Sequence, residues 1–247
     1  MRVSIITPAF NSAKTIADTV DSVKRQTYPD IEHMVVDGAS TDTTLMIVRQ
    51  RSAHVSIVSE PDNGIYDAMN KGIRQSTGDI IGILNSDDFY KTSDIIAEIV
   101  AMFEGTGCDA VYGDLVYVDA RNTDRIVRTW KAGAFRRSKF LHGWMPPHPT
   151  FFARRQCYEE YGLYDTDLRS SADYELMLRF LYRFEVPVSY LPQCMVCMRT
   201  GGQSNASLSN RLKANREDRL AWKKNGLEPH FYTTWLKPIR KIPQFLK

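Results

Sequence analysis

The stretch IIGILNSDDFY, Ile80 to Tyr90, decides how this chain is read. Its first five residues are all Ile, Gly or Leu, the pattern of a strand buried on both faces, and such strands belong to parallel sheets covered by helices. The run then ends in Asn85-Ser86-Asp87-Asp88. Adjacent carboxylates repel. A surface loop holds them at little cost, whereas a buried site needs a cation beside them.

Working outward from that stretch, strand and helix patterns alternate. VSIITPAF, IEHMVVDGAS and HVSIVSEPDNG read as strands, while AKTIADTVDSVKRQ, TTLMIVRQR and IYDAMNKGIRQS read as the helices between them. Alternation of this kind specifies βαβ units and an α/β fold. The polar residues Asn11, Asp37, Glu60, Asp62, Asp87 and Asp88 fall at the ends of four consecutive strands, the edge at which open α/β sheets bind ligands. The second half predicts a hairpin (DAVYGDLVYVD and RIVRTWKAG), a proline-stiffened loop (MPPHPTFFARR), a strand YLPQCMVCMRT and an amphipathic helix, SADYELMLRFLYRF, with Leu176, Met177, Phe180 and Phe184 on one side. No repeat or composition break precedes about Gly201. The organisation expected is one domain over residues 1–204, in two halves at 1–90 and 91–204, followed by a helical, basic-aromatic tail at 205–247.

Composition narrows the classes. Hydrophobic residues make up 43% and charged residues 25% of 247, ordinary values for a globular protein. The net charge of +3 is uneven. From Trp222 onward six Lys/Arg stand against one Glu, so the preceding body is slightly acidic and bulk nucleic-acid binding is not expected. The start, MRVSIITPAF, lacks a signal-peptide apolar region and no run reaches 18 apolar residues, which points to a cytoplasmic protein. The four cysteines suit buried strand positions better than a disulfide framework or a metal site.

The usual nucleotide devices are missing. There is no G-x-G-x-x-G after the first strand, no G-x-x-x-x-G-K-[ST], and no Asp closing strand one as a phosphatase nucleophile. What remains is a carboxylate pair after strand four and a lone Asp after strand two. That set suits Mg²⁺ or Mn²⁺ holding a pyrophosphate, since these ions keep one or two protein carboxylates and fill the rest of their shell with water and phosphate oxygens.

SIITPAFNSAKTIADTVDSVKRQTYPDIEHMVVDGASTDTT, followed by GDIIGILNSDD, resembles the inverting GT-A-type glycosyltransferases of family 2. SEPDNGIYDAMNKGI resembles the subgroup acting in bacterial exopolysaccharide and glycolipid assembly. The resemblance runs from about Val3 to Ser204. It implies a GT-A fold, Rossmann-like with a mostly parallel central sheet and a smaller mixed acceptor-side region. It implies a nucleotide-sugar donor, by preference UDP-linked, and a saccharide or lipid-linked acceptor. Residue by residue, it implies that Pro8, Phe10 and Asn11 line the nucleobase pocket, that Asp37 accepts the uracil N–H, and that Asp87 ligates the metal. Asn85 stands where the motif has its first Asp, and an amide there hydrogen-bonds a ribose hydroxyl. Asp88 orients Asp87 or holds a metal-bound water. Asp173 matches the Asp that serves as base, with Ala172 in place of the usual Glu; the same Asp also suits the start of a helix, capped with Ser170 or Ser171.

Other residues carry two readings each. Asp67 and Lys71 are spaced as a surface ion pair or sit beside the donor ribose and diphosphate, together with Glu60. His148 lies in the stiff loop either as a structural residue or at the acceptor. Arg199 and Gln203 flank a glycine turn that resembles the family's donor-closing loop, where they would reach the diphosphate. Past residue 204 a polar helix precedes HFYTTWLKPIRKIPQFLK, whose aromatics and cations suit peripheral contact with an anionic membrane on its inner face, or packing back on the domain. Two other functions fit less of this: a nucleotidyltransferase, and a sugar-nucleotide-binding scaffold that has lost catalysis.

Overall fold

The computed structural model describes residues 1–201, 208–240 and 244. The alternation predicted from the sequence is present. β1 (Val3–Ala9), α1 (Ile16–Lys24), β2 (Ile31–Asp37), α2 (Thr44–Arg51), β3 (Ser56–Ser59), α3 (Ile65–Gln75) and β4 (Ile80–Ile83) follow in chain order. After them come β5 (Phe89–Tyr90), α4 (Ile95–Thr106), β6 (Ala110–Val118), β7 (Ile126–Trp130), β8 (Phe152–Arg154), α5 (Arg155–Tyr161), α6 (Ala172–Met177), β9 (Val188–Arg199), α7 (Leu208–Lys224) and α8 (Thr233–Ile239).

All described strands join one sheet, in the order β3-β2-β1-β4-β8-β6-β9-β5, with β7 added to β6. The first four are parallel neighbours, and their register sets Ala9 beside Asp37 and Asp37 beside Ser59. That register brings their C-terminal ends, and the polar residues there, to one edge of the sheet. Past β4 the sheet is mixed: β8 runs antiparallel to both β4 and β6, while β6 and β9 are parallel. Gly82 at the centre of β4 is required by packing, because a Cβ there would enter the ring of Phe152 on β8. Alternate residues of β1 serve different cores. Ile6 packs with Ala68, Met69 and Ile73 of α3, and Ile5 with Ile96 and Ile99 of α4, so helices cover both faces.

His33 is a buried titratable group within this core. It lies on β2 at 6% exposure, with Nε2 3.1 Å from Thr7 Oγ1, and burial pulls its pKa down to about 4. The folded state therefore holds His33 neutral, and its stability is complete above the unfolded value near 6.5. Between pH 6.5 and 4 the unfolded chain gains a proton that the folded one refuses. About 3 kcal/mol of stability is expected to drain away over that window. Urea melts of wild type and His33→Gln at pH 7 and pH 4.5 check this, since the variant should lose much less.

One segment differs from the sequence reading. The amphipathic helix is α only from Ala172 to Met177 and continues as a π-helical turn over Leu178–Arg183. Arg179 is gripped there by Glu175, 2.8 Å away, and by the carbonyl of Leu163 at 2.7 Å, and Phe184 N bonds back five residues to Arg179 O. The wider turn takes Phe184 off the buried stripe, leaving it 40% exposed and stacked on Tyr161. The C-terminal helices return to the body. Trp222 is fully buried and donates to the Tyr174 hydroxyl at 2.9 Å. Lys237 lies 3.9 Å over the Tyr174 ring and pairs with Asp218 at 2.8 Å. Phe231 and Trp235 point outward, 87% and 60% exposed. Among the described residues no helix is long and apolar enough to cross a membrane.

Candidate active site

The four parallel strands end in loops stitched to one another. Asn11, in the left-handed region at φ 48°, accepts from Thr41 N at 2.9 Å through its side chain and donates its own N–H to Ser40 Oγ at 2.8 Å. Ser40 Oγ in turn donates to Asp37 Oδ1, and the other carboxylate oxygen takes bonds from Ser40 N at 2.9 Å and Ser59 Oγ at 2.8 Å. Asp37 is fully buried, so these donors compensate its charge. Gly38 is needed where it stands, because a Cβ would collide with the Asp62 carboxylate. Ser12 Oγ meets Ser86 Oγ at 2.8 Å and ties this assembly to the loop after β4. Pro8 is buried within β1, while Phe10 stands 60% exposed at its end.

The tandem carboxylates of the opening stretch separate into two environments. Asp88 is sealed, with its backbone carbonyl taking Thr19 Oγ1 at 2.7 Å and its carboxylate taking Arg199 N at 3.3 Å and Asn85 Nδ2 at 3.4 Å. Burial first, and the charge of Asp87 second, push its pKa well above the carboxylate range. No helix begins at this pair: α4 starts at Ile95, after Asp94. Asp87 lines a cleft of about 470 Å³ between the start of α1, with Lys14 and Asp18, and the β6–β7 turn, with Arg121 and Thr123. Burial raises the Asp87 pKa as well, and the charges of Arg199 and His148 offset that only in part. A desolvated carboxylate at the mouth of a polar cleft is stabilised in its charged form by any cation placed beside it.

The donor set fits a hard divalent ion. Asp87 supplies one carboxylate, and Asn85 Oδ1 beside it is a buried acceptor without a hydrogen-bond partner. Among the described residues no group of three or more His, Cys, Asp or Glu forms a cage.

Opposite this loop, α6 presents Asp173. Its Oδ2 lies 3.2 Å from His148 Nδ1, and its Oδ1 accepts from the Tyr66 hydroxyl at 3.2 Å. Ser171, before the helix, makes no side-chain cap and bonds to Ala214 O instead, so Asp173 is directed toward other elements rather than along its own helix. His148 is close enough to both carboxylates for its charge to act on each.

The remaining sequence candidates divide. Glu60, Asp67 and Lys71 come together, with Lys71 Nζ 3.0 Å from Glu60, 3.7 Å from Asp67 and 2.7 Å from the carbonyl of Pro61. Asp67 also accepts from Asn63 N at 3.0 Å, so this trio closes the Pro-Asp-Asn-Gly turn onto α3. Arg199 is 7% exposed and works as a strut, donating to the Asp87 carbonyl at 2.6 Å and to Asp18. Arg199 lines the cleft with Asp87, and its guanidinium ties α1 to the loop that carries Asp87. Gln203 lies outside the described residues. Sequence reading missed Tyr66, Ser40, Lys14 and Arg121, of which all but Arg121 sit inside stretches quoted for the family resemblance.

A βαβ sheet with stitched strand-end loops, an Asp-Asp turn and an opposing carboxylate on a second, mixed half is the architecture of GT-A glycosyltransferases. S. aureus TarS, as its 1–349 portion in complex with UDP-GlcNAc, superposes with a TM-score of 0.71 at 19% identity, covering 96% of this chain and 70% of that one. The longer TarS chain is covered over only 41% of its length. The mannosyltransferase PcManGT from Pyrobaculum calidifontis, in complex with GDP-Man and Mn²⁺, gives 0.69 at 20% identity, over 96% of this chain and 72% of that one. In sequence, the profile of glycosyl transferase family 2 matches residues 4–162, and the chain belongs to that family. It is 34% identical over 181 residues to a PGL/p-HBAD biosynthesis glycosyltransferase of Mycobacterium tuberculosis, covering 71% of this chain and 68% of the relative. To the chondroitin synthase of Escherichia coli it is 30% identical over 184 residues, 72% of this chain and 26% of that protein.

Proposed function

We propose that this glycosyltransferase moves a sugar, with inversion at its anomeric carbon, from a UDP-linked donor to a hydroxyl of a glycan or lipid-linked saccharide in bacterial surface polysaccharide or glycolipid assembly. The observation that carries this reading is the Asp173 carboxylate held 3.2 Å from His148, whose charge also acts on Asp87 of the other half. Asp173 takes the proton of the acceptor hydroxyl as its oxygen attacks the anomeric carbon, and the bond from that carbon to the diphosphate oxygen breaks on the far face. Asp87, with Asn85 Oδ1, would hold a divalent cation, which supplies Lewis-acid stabilisation of the departing diphosphate. Lys14 and Arg121, lining the same cleft, take the diphosphate contact. Asp37 and the exposed ring of Phe10 serve the nucleobase end. The glycolipid role and the UDP donor draw support from the names of the mycobacterial relative and the TarS complex. Calorimetric titration with UDP, GDP and dTDP, each with and without Mn²⁺, tests the reading. UDP binding that requires Mn²⁺ is expected, and a protein that binds none of the three overturns the donor site.

The lipid-linked acceptor motivates a membrane-facing surface. Among the described residues Phe231 and Trp235 are exposed aromatics of the tail, Arg219 lies 5.8 Å over the Trp235 ring, and the charges of Arg136 and Arg240 act on Lys139. This combination suits the interface of an anionic leaflet. Phe231→Ser with Trp235→Ser is expected to weaken sedimentation with phosphatidylglycerol vesicles by about tenfold or more, since each ring buries well over 1 kcal/mol of apolar surface. Wild-type protein that ignores such vesicles would remove the membrane role.

A further inference from the structure

The segment SEPDNGIYDAMNKG, Ser59 to Gly72, has charged residues that only tie the turn to its own helix. Two residues of it leave that local network: Asn70, which exchanges hydrogen bonds with the Tyr164 backbone at 2.8 and 2.9 Å, and Tyr66. Tyr66, in the first turn of α3, stacks on Tyr164 with ring centroids 5.7 Å apart and donates its hydroxyl to Asp173 Oδ1 at 3.2 Å. Asp173 Oδ2 meets His148 Nδ1 at the same separation. His148 is set by a rigid frame: prolines stand on both sides of it, and Thr150 Oγ1 bonds the carbonyls of Pro147 at 2.8 Å and Gly113 at 3.0 Å. Each oxygen of one carboxylate thus has its own anchor, and neither anchor belongs to α6.

We propose that Tyr66 and His148 are positioning residues that fix the rotation of the Asp173 carboxylate, so that a lone pair left on one oxygen is aimed at the acceptor hydroxyl. This rests on Asp173 being the base. A carboxylate oxygen accepts through two lone pairs, so one anchor per oxygen leaves room for the acceptor. Unanchored, the terminal torsion of an Asp side chain is broad and two-fold, and the aim is lost. Misplacement of a reacting group by about 1 Å costs up to about 10²-fold in rate. Burial, followed by the charge of Asp173, lifts the Tyr66 phenol well above its ordinary range, so it stays a donor at working pH. The motif would then act through its tyrosine, holding the base from the donor half of the molecule.

The test measures UDP release from a pool of UDP-hexoses at saturation, with UDP affinity in Mn²⁺ and the melting temperature followed in parallel. Tyr66→Phe keeps the ring and its stack, His148→Ala removes the second anchor, and His148→Asn returns an N–H donor near the Nδ1 position. Tyr66→Phe and His148→Ala are each expected to lower kcat about tenfold or more at unchanged UDP affinity, and His148→Asn to recover part of that loss. The decisive arm repeats Tyr66→Phe on Asp173→Asn, where no further loss is expected because the group it acts through is gone. An equal loss in both backgrounds, or a folded Tyr66→Phe protein at the wild-type rate, overturns the positioning role. Wild-type turnover by Asp173→Asn alone would instead overturn the base assignment beneath it.

Discussion

Asp173→Asn is expected to lower turnover by about 10²- to 10⁴-fold, the range for a positioned general base, while UDP affinity in the presence of Mn²⁺ stays at the wild-type value. The substitution is nearly isosteric, and its amide oxygen can still accept the bond that the Tyr66 hydroxyl gives. What it removes is the capacity to take a proton. A role as a helix-terminal charge predicts a different outcome, a loss of about 0.3–1 kcal/mol in stability and no loss of rate. Geometry favours the chemical role, because both oxygens of Asp173 bond to other elements. His148, 3.2 Å away, is a neighbouring group able to substitute as a base, which sets the lower bound of the expected effect. A scaffold without catalysis would show no turnover to lose, so the wild-type assay also decides that alternative. Rates near wild type in Asp173→Asn would end the base assignment.

The strand ends were legible in the sequence because burial and polarity change abruptly there. VSIITPAF and IIGIL admit no exposed face, so the polar residues that close them had to stand at the sheet edge. The start of α3 was legible from Pro-Asp-Asn-Gly, and Ile65 is where the helix begins. What was not legible depends on contacts distant in sequence. Tyr66 and Asp173 are 107 residues apart, and nothing local to NGIYDAM tells a core tyrosine from one that reaches a carboxylate. The partners of Arg199, Asp18 and the Asp87 carbonyl, were hidden because they come from segments more than a hundred residues upstream. The π-helical turn after Met177 escaped for a related reason. Leu178–Arg183 carries an ordinary helical pattern, and only the grip of Glu175 and Leu163 on Arg179 widens it.

The tandem Asp87-Asp88 is the sharpest case, since two identical neighbours are expected to respond oppositely. Asp88→Ala strips the acceptor from Arg199 N and from Asn85 Nδ2 inside a sealed turn, and a buried donor left unpaired costs about 1–3 kcal/mol. Its first effect should be a lower melting temperature. Asp87→Ala removes a carboxylate that uses its backbone, not its side chain, to bind Arg199. Because burial raises the Asp87 pKa, the folded protein holds that proton more tightly than the unfolded chain, and above the folded pKa the ionised side chain works against folding. Removing it is therefore expected to leave the melting temperature at pH 7 unchanged or slightly higher. Function should move the other way. With its carboxylate ligand gone, a divalent cation loses its hold beside the diphosphate, and UDP affinity in Mn²⁺ is expected to fall about 100-fold, to the level seen without metal, as loss of a direct ligand would at the upper end of metal-site effects. Calorimetry and thermal melts on the two variants side by side read both quantities. An Asp87→Ala protein that keeps Mn²⁺-dependent UDP binding would move the cation to other residues of the cleft.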